Sequence, residues 1–130
     1  MIKSESLKPG LLHTLERVVT ESDTASNYGS GALQVYATPA MISFMEKTSM
    51  DAVQPYLAKG FGTVGISVNI KHLRPAVINS RVRCTSELVK IDNMKLHFKV
   101  IVEDDSNIIG EGMHERFIID EESFMKKISS

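Results

Sequence analysis

Cysteine is nearly missing from this chain: Cys84 is the only one in 130 residues. A single thiol excludes an intrachain disulfide framework and any zinc site built from several thiolates, and it suits a reducing compartment. Charge of either sign is not in excess, since fifteen Lys and Arg face sixteen Asp and Glu for a formal charge of −1. The basic residues nowhere gather into a block able to follow phosphates, so nucleic acid is not an expected partner. No apolar run approaches the roughly 20 residues that cross a bilayer. The opening Met1–Ser6 also lacks the apolar core of a signal peptide. The expected setting is cytoplasmic, with no membrane partner. His13 and His97 have no partner at metal-ligand spacing, so no metal is expected.

What is present is an ordinary globular balance, 42% hydrophobic and 24% charged, which argues against disorder. The whole of 1–130 reads as one domain, and a chain of this length can bury roughly two thirds of the surface its unfolded form exposes. The fold class expected is α+β, one long helix across an antiparallel sheet of about five strands. A first strand is expected over Leu11–Glu21, followed by a loop of turn formers and small residues over 22–31 that can lie over a site. Thr38-Pro39 starts the helix, with Thr38 as its cap, and the helix runs to about Val53. At ~100° per residue, Met41, Ile42, Met45, Ser49, Ala52 and Val53 form its buried stripe and Glu46 falls at the flank of that stripe. Four further strands, read as a meander, are expected near Thr63–Leu73, Arg81–Ile91, Lys95–Glu103 and Ile108–Ile119. Asp120 is placed to cap a short helix over Glu121–Ile128.

Three residues draw attention to chemistry. In the strand from Thr63, the even positions Val64, Ile66, Val68 and Ile70 should share one face, and His72 continues their row toward the helix. His72 is then either a hydrogen-bonded core residue or a base. Glu46, beside an apolar stripe, either bends out to water or pairs with an imidazole on the facing sheet. Thr38 caps the helix, or lies beside an electrophile held by the free N–H groups of Ala40 and Met41 at the electropositive helix end. Thr38 and Glu46 are eight residues apart, ~12 Å along the axis. Either His72 bridges them or a second copy of the chain completes the site.

Val35-Tyr36-Ala37-Thr38-Pro39, Glu46, Pro55-Tyr56-Leu57, Gly65, His72 and the run Gly110-Glu111-Gly112-Met113-His114-Glu115-Arg116 together resemble the fluoroacetyl-CoA thioesterase family, over about residues 10 to 125. The resemblance implies the hotdog fold, a long helix wrapped by a curved sheet, with two subunits pairing and acyl-CoA bound near their interface. The expected assembly is a homodimer, or a tetramer of two such dimers. The family's Thr, Glu and His triad falls on Thr38, Glu46 and His72, and its glycine and late arginine on Gly65 and Arg116. The chain departs from the fluoroacetyl-specific branch before the helix, where bulky aromatic lid residues give way to Gly29-Ser30-Gly31-Ala32. A wider acyl pocket is expected there, lined by Tyr36, Leu33 and Phe61.

The function expected is hydrolysis of a short or medium acyl thioester to free acid and CoA, with no cofactor beyond the CoA of the substrate. His72 would act as base, Glu46 would orient it, and Thr38 would attack or position water. Tyr36, Gly65, Ala40, Met41 and Arg116 are the candidate substrate-binding residues, Arg116 as a CoA phosphate contact, a support for the triad or a plain partner of a glutamate. His114 and its neighbouring glycines read as close packing on the last strand. The rivals are a hotdog hydratase or dehydratase, which would abstract a carbon-bound proton, and a non-catalytic acyl-CoA-binding protein.

Overall fold

Local backbone chemistry sets the element boundaries in the computed structural model, which describes residues 7–129. Strand β1 is Leu12–Val18, shorter than expected because the Val19 N–H leaves the ladder for the Ser80 carbonyl at 2.8 Å. Thr20 and Asp23 then form a reciprocal capping box around a 3₁₀ turn at Glu21–Asp23. The expected loop contains that turn and a four-residue helix α1, Ala25–Tyr28, closed by Gly29 in the left-handed region.

Helix α2 covers Thr38–Val53. Its cap is Ala37 rather than Thr38, with extended backbone (φ −76°, ψ 141°) and no side-chain cap bond. Thr38 and Pro39 are therefore the first two helical residues, and the Thr38 hydroxyl is left available for another partner. The buried face is Ala40, Met41, Phe44, Met45, Thr48, Ser49, Ala52 and Val53. Phe44 and Thr48 join the expected stripe, whereas Ile42 is only half-buried. Complete burial of an aromatic or Met side chain contributes about 1.5–3 kcal/mol, so Phe44, Met41 and Met45 anchor α2 to the sheet. The polar members are satisfied: Thr48 Oγ1 donates to the Phe44 carbonyl at 2.7 Å, and Ser49 Oγ donates to Met45 O at 2.9 Å and meets Ser86 Oγ at 2.8 Å.

Strands β2 (Phe61–His72), β3 (Arg81–Asp92), β4 (Lys95–Glu103) and β5 (Ile108–Asp120) complete the sheet, and α3 (Glu121–Ser129) follows. Asp120 Oδ1 accepts from the Ser123 N–H at 3.1 Å, the expected cap of α3. All pairings are antiparallel, in the order β1-β3-β4-β5-β2. The four later strands are thus not a simple meander: β2 pairs with β5 at the far edge, and β3 lies inside against β1. The link from Leu73 to Ser80 is too long for a tight hairpin. Instead the Leu73 and Arg74 N–H groups both donate to the Ile109 carbonyl, tying that link to β5.

Strand β2 carries a bulge. Gly65 pairs with Arg116 and Ser67 with Glu115, leaving Ile66 as an extra residue. The expected single row of even residues is broken there. Val64 and Ile66 turn to the outer face, where with Phe117, Ile119 and Phe124 they line a groove. Thr63 and Gly65 before the bulge, and Val68, Ile70 and His72 after it, share the helix side.

Candidate active site

The pocket at the start of α2 is built by three stretches of chain. The loop contributes Ala25 and Ser30, the helix start contributes Val35, Tyr36, Ala37 and Thr38, and the end of β2 contributes His72, Leu73, Arg74 and Pro75 around a cavity of about 410 Å³. Of the three residues expected to line an acyl pocket, only Tyr36 does so. Leu33 is 67% exposed, and Phe61 opens β2 at the opposite end of the strand from His72.

Thr38 Oγ1 and His72 Nδ1 are 2.9 Å apart. The hydroxyl released from capping therefore meets the imidazole that β2 turns toward the helix. His72 Nε2 is buried and finds no partner in hydrogen-bonding geometry within the described chain. Burial lowers the pKa of His72 below the ordinary imidazole value, with the Arg74 backbone offsetting part of the shift, so the ring is neutral at neutral pH. Tyr36 stands edge-on to it, with ring centroids 6.2 Å apart at 78°. Burial, reinforced by Asp23, holds the Tyr36 hydroxyl in its protonated form.

At the helix tip the Met41 N–H donates to the Ala37 carbonyl at 3.0 Å. It is not one of the free donors expected there. The amides of Thr38 and Ala40 have no intrachain acceptor among the described residues, and they are the groups able to face a developing oxyanion.

Glu46 does not reach His72: no hydrogen bond or ion pair joins them among the described residues. Its Oε2 lies 3.8 Å from Arg116 Nη1, above Gly65, where an added Cβ would stand 2.7 Å from that oxygen. Arg116 is 5% exposed. Its Nε donates to Thr63 Oγ1 at 2.8 Å and its Nη2 to the Thr63 carbonyl at 2.9 Å. A guanidinium so enclosed is not presented to a CoA phosphate; it stands behind Glu46. His114, read from the sequence as close packing on the last strand, is buried there; sequence reasoning missed its contact with Arg116 and the bulge at Ile66. The signal was the period-two row Gly110, Gly112, His114, Arg116, which places two polar residues on a buried face. Elsewhere, His97 Nδ1 meets Glu115 Oε2 at 2.9 Å on the outer face. Buried Cys84 is pushed up to about 11, chiefly by desolvation, and is an inert core thiol.

The sequence matches the family model of the fluoroacetyl-CoA-specific thioesterases over residues 19–122. The chain belongs to this family. It is 33% identical over 95 residues to the fluoroacetyl-CoA thioesterase of Streptantibioticus cattleyicolor, covering 73% of this chain and 68% of that protein. A crystal structure of a mutant fluoroacetyl-CoA-specific thioesterase superposes with a TM-score of 0.91 at 29% identity, covering 97% of this chain and 98% of that one. A thioesterase superfamily member from Thermus thermophilus gives 0.87 at 25% identity, covering 97% and 96%. The five-stranded antiparallel sheet and its long helix are the hotdog fold, and this family member is a thioester hydrolase that acts on acyl-CoA.

Proposed function

We propose that the chain hydrolyses a short or medium acyl-CoA thioester to free acid and CoA at a site completed by two copies of the chain. The observation that carries this reading is the 2.9 Å contact between Thr38 Oγ1 and His72 Nδ1 at an electropositive helix start. Neutral Nδ1 takes the hydroxyl proton as Oγ1 attacks the thioester carbonyl; if water attacks instead, it passes its proton to Oγ1 as Oγ1 passes its own to Nδ1. The carbonyl oxygen becomes an oxyanion facing the Thr38 and Ala40 amides. Collapse breaks the carbon–sulfur bond, and the CoA thiolate leaves with the proton held by His72. If Oγ1 attacked, water then cleaves the acyl-threonine ester by the same proton route.

Glu46 enters from the second copy. Strand β2 is an edge strand that ends on His72 and carries Gly65, beneath Glu46, just short of its middle. Gly65 and His72 are seven positions apart, at most about 23 Å, a span that the bulge at Ile66 shortens. Antiparallel pairing of two β2 strands centred between Val68 and Asn69 would bring Gly65 of one copy beside His72 of the other. The partner copy's carboxylate would then lie near the His72 ring and stabilise the imidazolium through space. This supports a homodimer as the working unit, and a tetramer can be assembled from two of them.

No helix among the described residues is long and apolar enough to cross a membrane, and the lone buried thiol suits the cytoplasm as the place of work. The reaction as written needs no cofactor. The exposed Gly29-Ser30-Gly31-Ala32 segment beside a 410 Å³ cavity favours acyl groups wider than a two-carbon unit. The deciding experiment is a thiol-release screen over short, branched and aromatic acyl-CoAs, repeated with Thr38→Ala. Release of free thiol with an acyl preference is expected. Binding without release would favour a carrier, and hydration of an enoyl-CoA without release a hydratase.

A further inference from the structure

His114 is 1% exposed, stacked on Phe98 with centroids 6.1 Å apart at 28°, and both its ring nitrogens are engaged. Nδ1 lies 2.8 Å from the Ser67 carbonyl oxygen, and Nε2 3.2 Å from Arg116 Nη1. A carbonyl only accepts and a guanidinium only donates. The ring is therefore neutral, with its proton on Nδ1 and its lone pair on Nε2 toward Arg116.

The backbone groups held this way flank the bulge. Arg116 binds the Thr63 carbonyl before Ile66, and His114 binds the Ser67 carbonyl after it. The extra residue between them changes which positions face the helix. Before it the row is Thr63 and Gly65; after it the row is Val68, Ile70 and His72, opposite His114, Gly112 and Gly110. Were Ile66 paired in register instead of bulged, Ser67, Asn69 and Lys71 would take the inner row and His72 would point outward, away from Thr38.

We propose that His114 is a positioning residue for His72: by clasping Ser67 while Arg116 clasps Thr63, it fixes the bulge that aims the imidazole at Thr38. The role rests on the hydrolase reading for its effect on turnover, but not for its effect on His72 itself. Unlike a packing residue, His114 would not be replaceable by any group of similar bulk. It requires a donor at the Nδ1 position.

The side-chain amides separate the two bonds. In His114→Asn the amide nitrogen takes the place of Nδ1 and keeps the Ser67 clasp; in His114→Gln the amide oxygen takes the place of Nε2 and keeps only the Arg116 contact. Imidazole ¹⁵N spectra, read without any thioester, report the His114 tautomer and the Thr38–His72 bond. Thiol release then reports turnover. We expect His114 to carry its proton on Nδ1 in the unaltered chain and Asn to leave the His72 resonances and turnover nearly unchanged. Gln should release His72 from Thr38 and lower kcat by about 10²-fold, with KM little changed. A proton on Nε2 of His114, an unmoved His72 in folded His114→Gln, or an Asn variant as impaired as Gln would each overturn the proposal. If His114→Gln fails to fold, the tautomer and the Asn variant decide. If no thioester is cleaved at all, the spectra still give the answer while the hydrolase reading falls.

Discussion

Thr38 Oγ1 and His72 Nδ1 meet at 2.9 Å because Ala37, not Thr38, is the cap of the long helix. One residue of displacement in the cap converts a hydroxyl that would have satisfied the helix's own backbone into one held by a base.

Replacing His72 with Ala removes that base. Turnover should fall by roughly 10²–10⁴-fold with the fold retained, since His72 is only half-buried at the end of an edge strand. Steady-state kinetics alongside a thermal melt provide the check. Near-normal kcat in a folded variant would exclude proton transfer by His72.

Thr38→Ser and Thr38→Ala separate attack from support. Serine keeps a nucleophile within reach of His72 and should retain most of the turnover. Alanine should abolish any acyl-enzyme seen by mass spectrometry of the intact protein after rapid quenching. An alanine variant with unchanged kcat would make Thr38 dispensable.

A site shared between two copies predicts complementation. Glu46→Ala and His72→Ala chains, each impaired alone, should regain activity when unfolded together and refolded as mixed dimers, because one of the two sites in a hybrid then holds an intact His72 and an intact Glu46. Mixtures no more active than their components would return Glu46 to a purely intrachain role beside Arg116.

The pH dependence follows from burial. His72 is held below the ordinary value of 6.5, first by desolvation, and a base works when unprotonated. The acid limb of kcat/KM should therefore lie below pH 6.5, with activity lost as pH falls through the folded-state value. Desolvation lowers His114 in the same direction. For both groups the unfolded chain binds protons first, so stability is full above about 6.5 and declines as pH drops toward the lowered values. Urea midpoints at about pH 7.5 and about pH 5.5 should differ, and the gap should narrow in His114→Asn. A midpoint that rises on acidification would contradict the assignment.

Gly112 has no room for a side chain: an added Cβ would run into the Asn69 carbonyl oxygen and stand 2.6 Å from Ile70 Cα. Because the obstacle is backbone, Gly112→Ala should destabilise the fold by about 1–3 kcal/mol, measured by urea unfolding. Gly65→Ala meets instead the flexible end of Glu46 at 2.7 Å, so its cost should appear in turnover more than in stability.

Much of the fold was legible because period-two alternation and the Thr38-Pro39 start are local signals, and four of the strands and both of the longer helices fall within a few residues of expectation. The order of the strands was not. Nothing in Phe61–His72 announces that its partner is Ile108–Asp120, a choice made by distant packing. The bulge was hidden for a different reason. Val64 and Ile66 are apolar because Phe117 and Phe124 lie beside them in the outer groove, and Val68 and Ile70 are apolar on the other face, so an unbroken even-numbered row conceals a change of side. Thr38 and His72 were placed correctly toward each other despite this. Glu46 was not separable from His72 in one dimension, because its nearest charged neighbour, Arg116, arrives seventy residues later.

The extra residue at Ile66 also bears on how relatives of this protein should be compared. An alignment that closes or opens a one-residue gap between Gly65 and Ser67 assigns every later position of the strand to the wrong surface. A natural deletion of Ile66 alone would straighten the ladder, with Gly65 and Ser67 already facing the consecutive residues Arg116 and Glu115, and would leave His72 on the inner face.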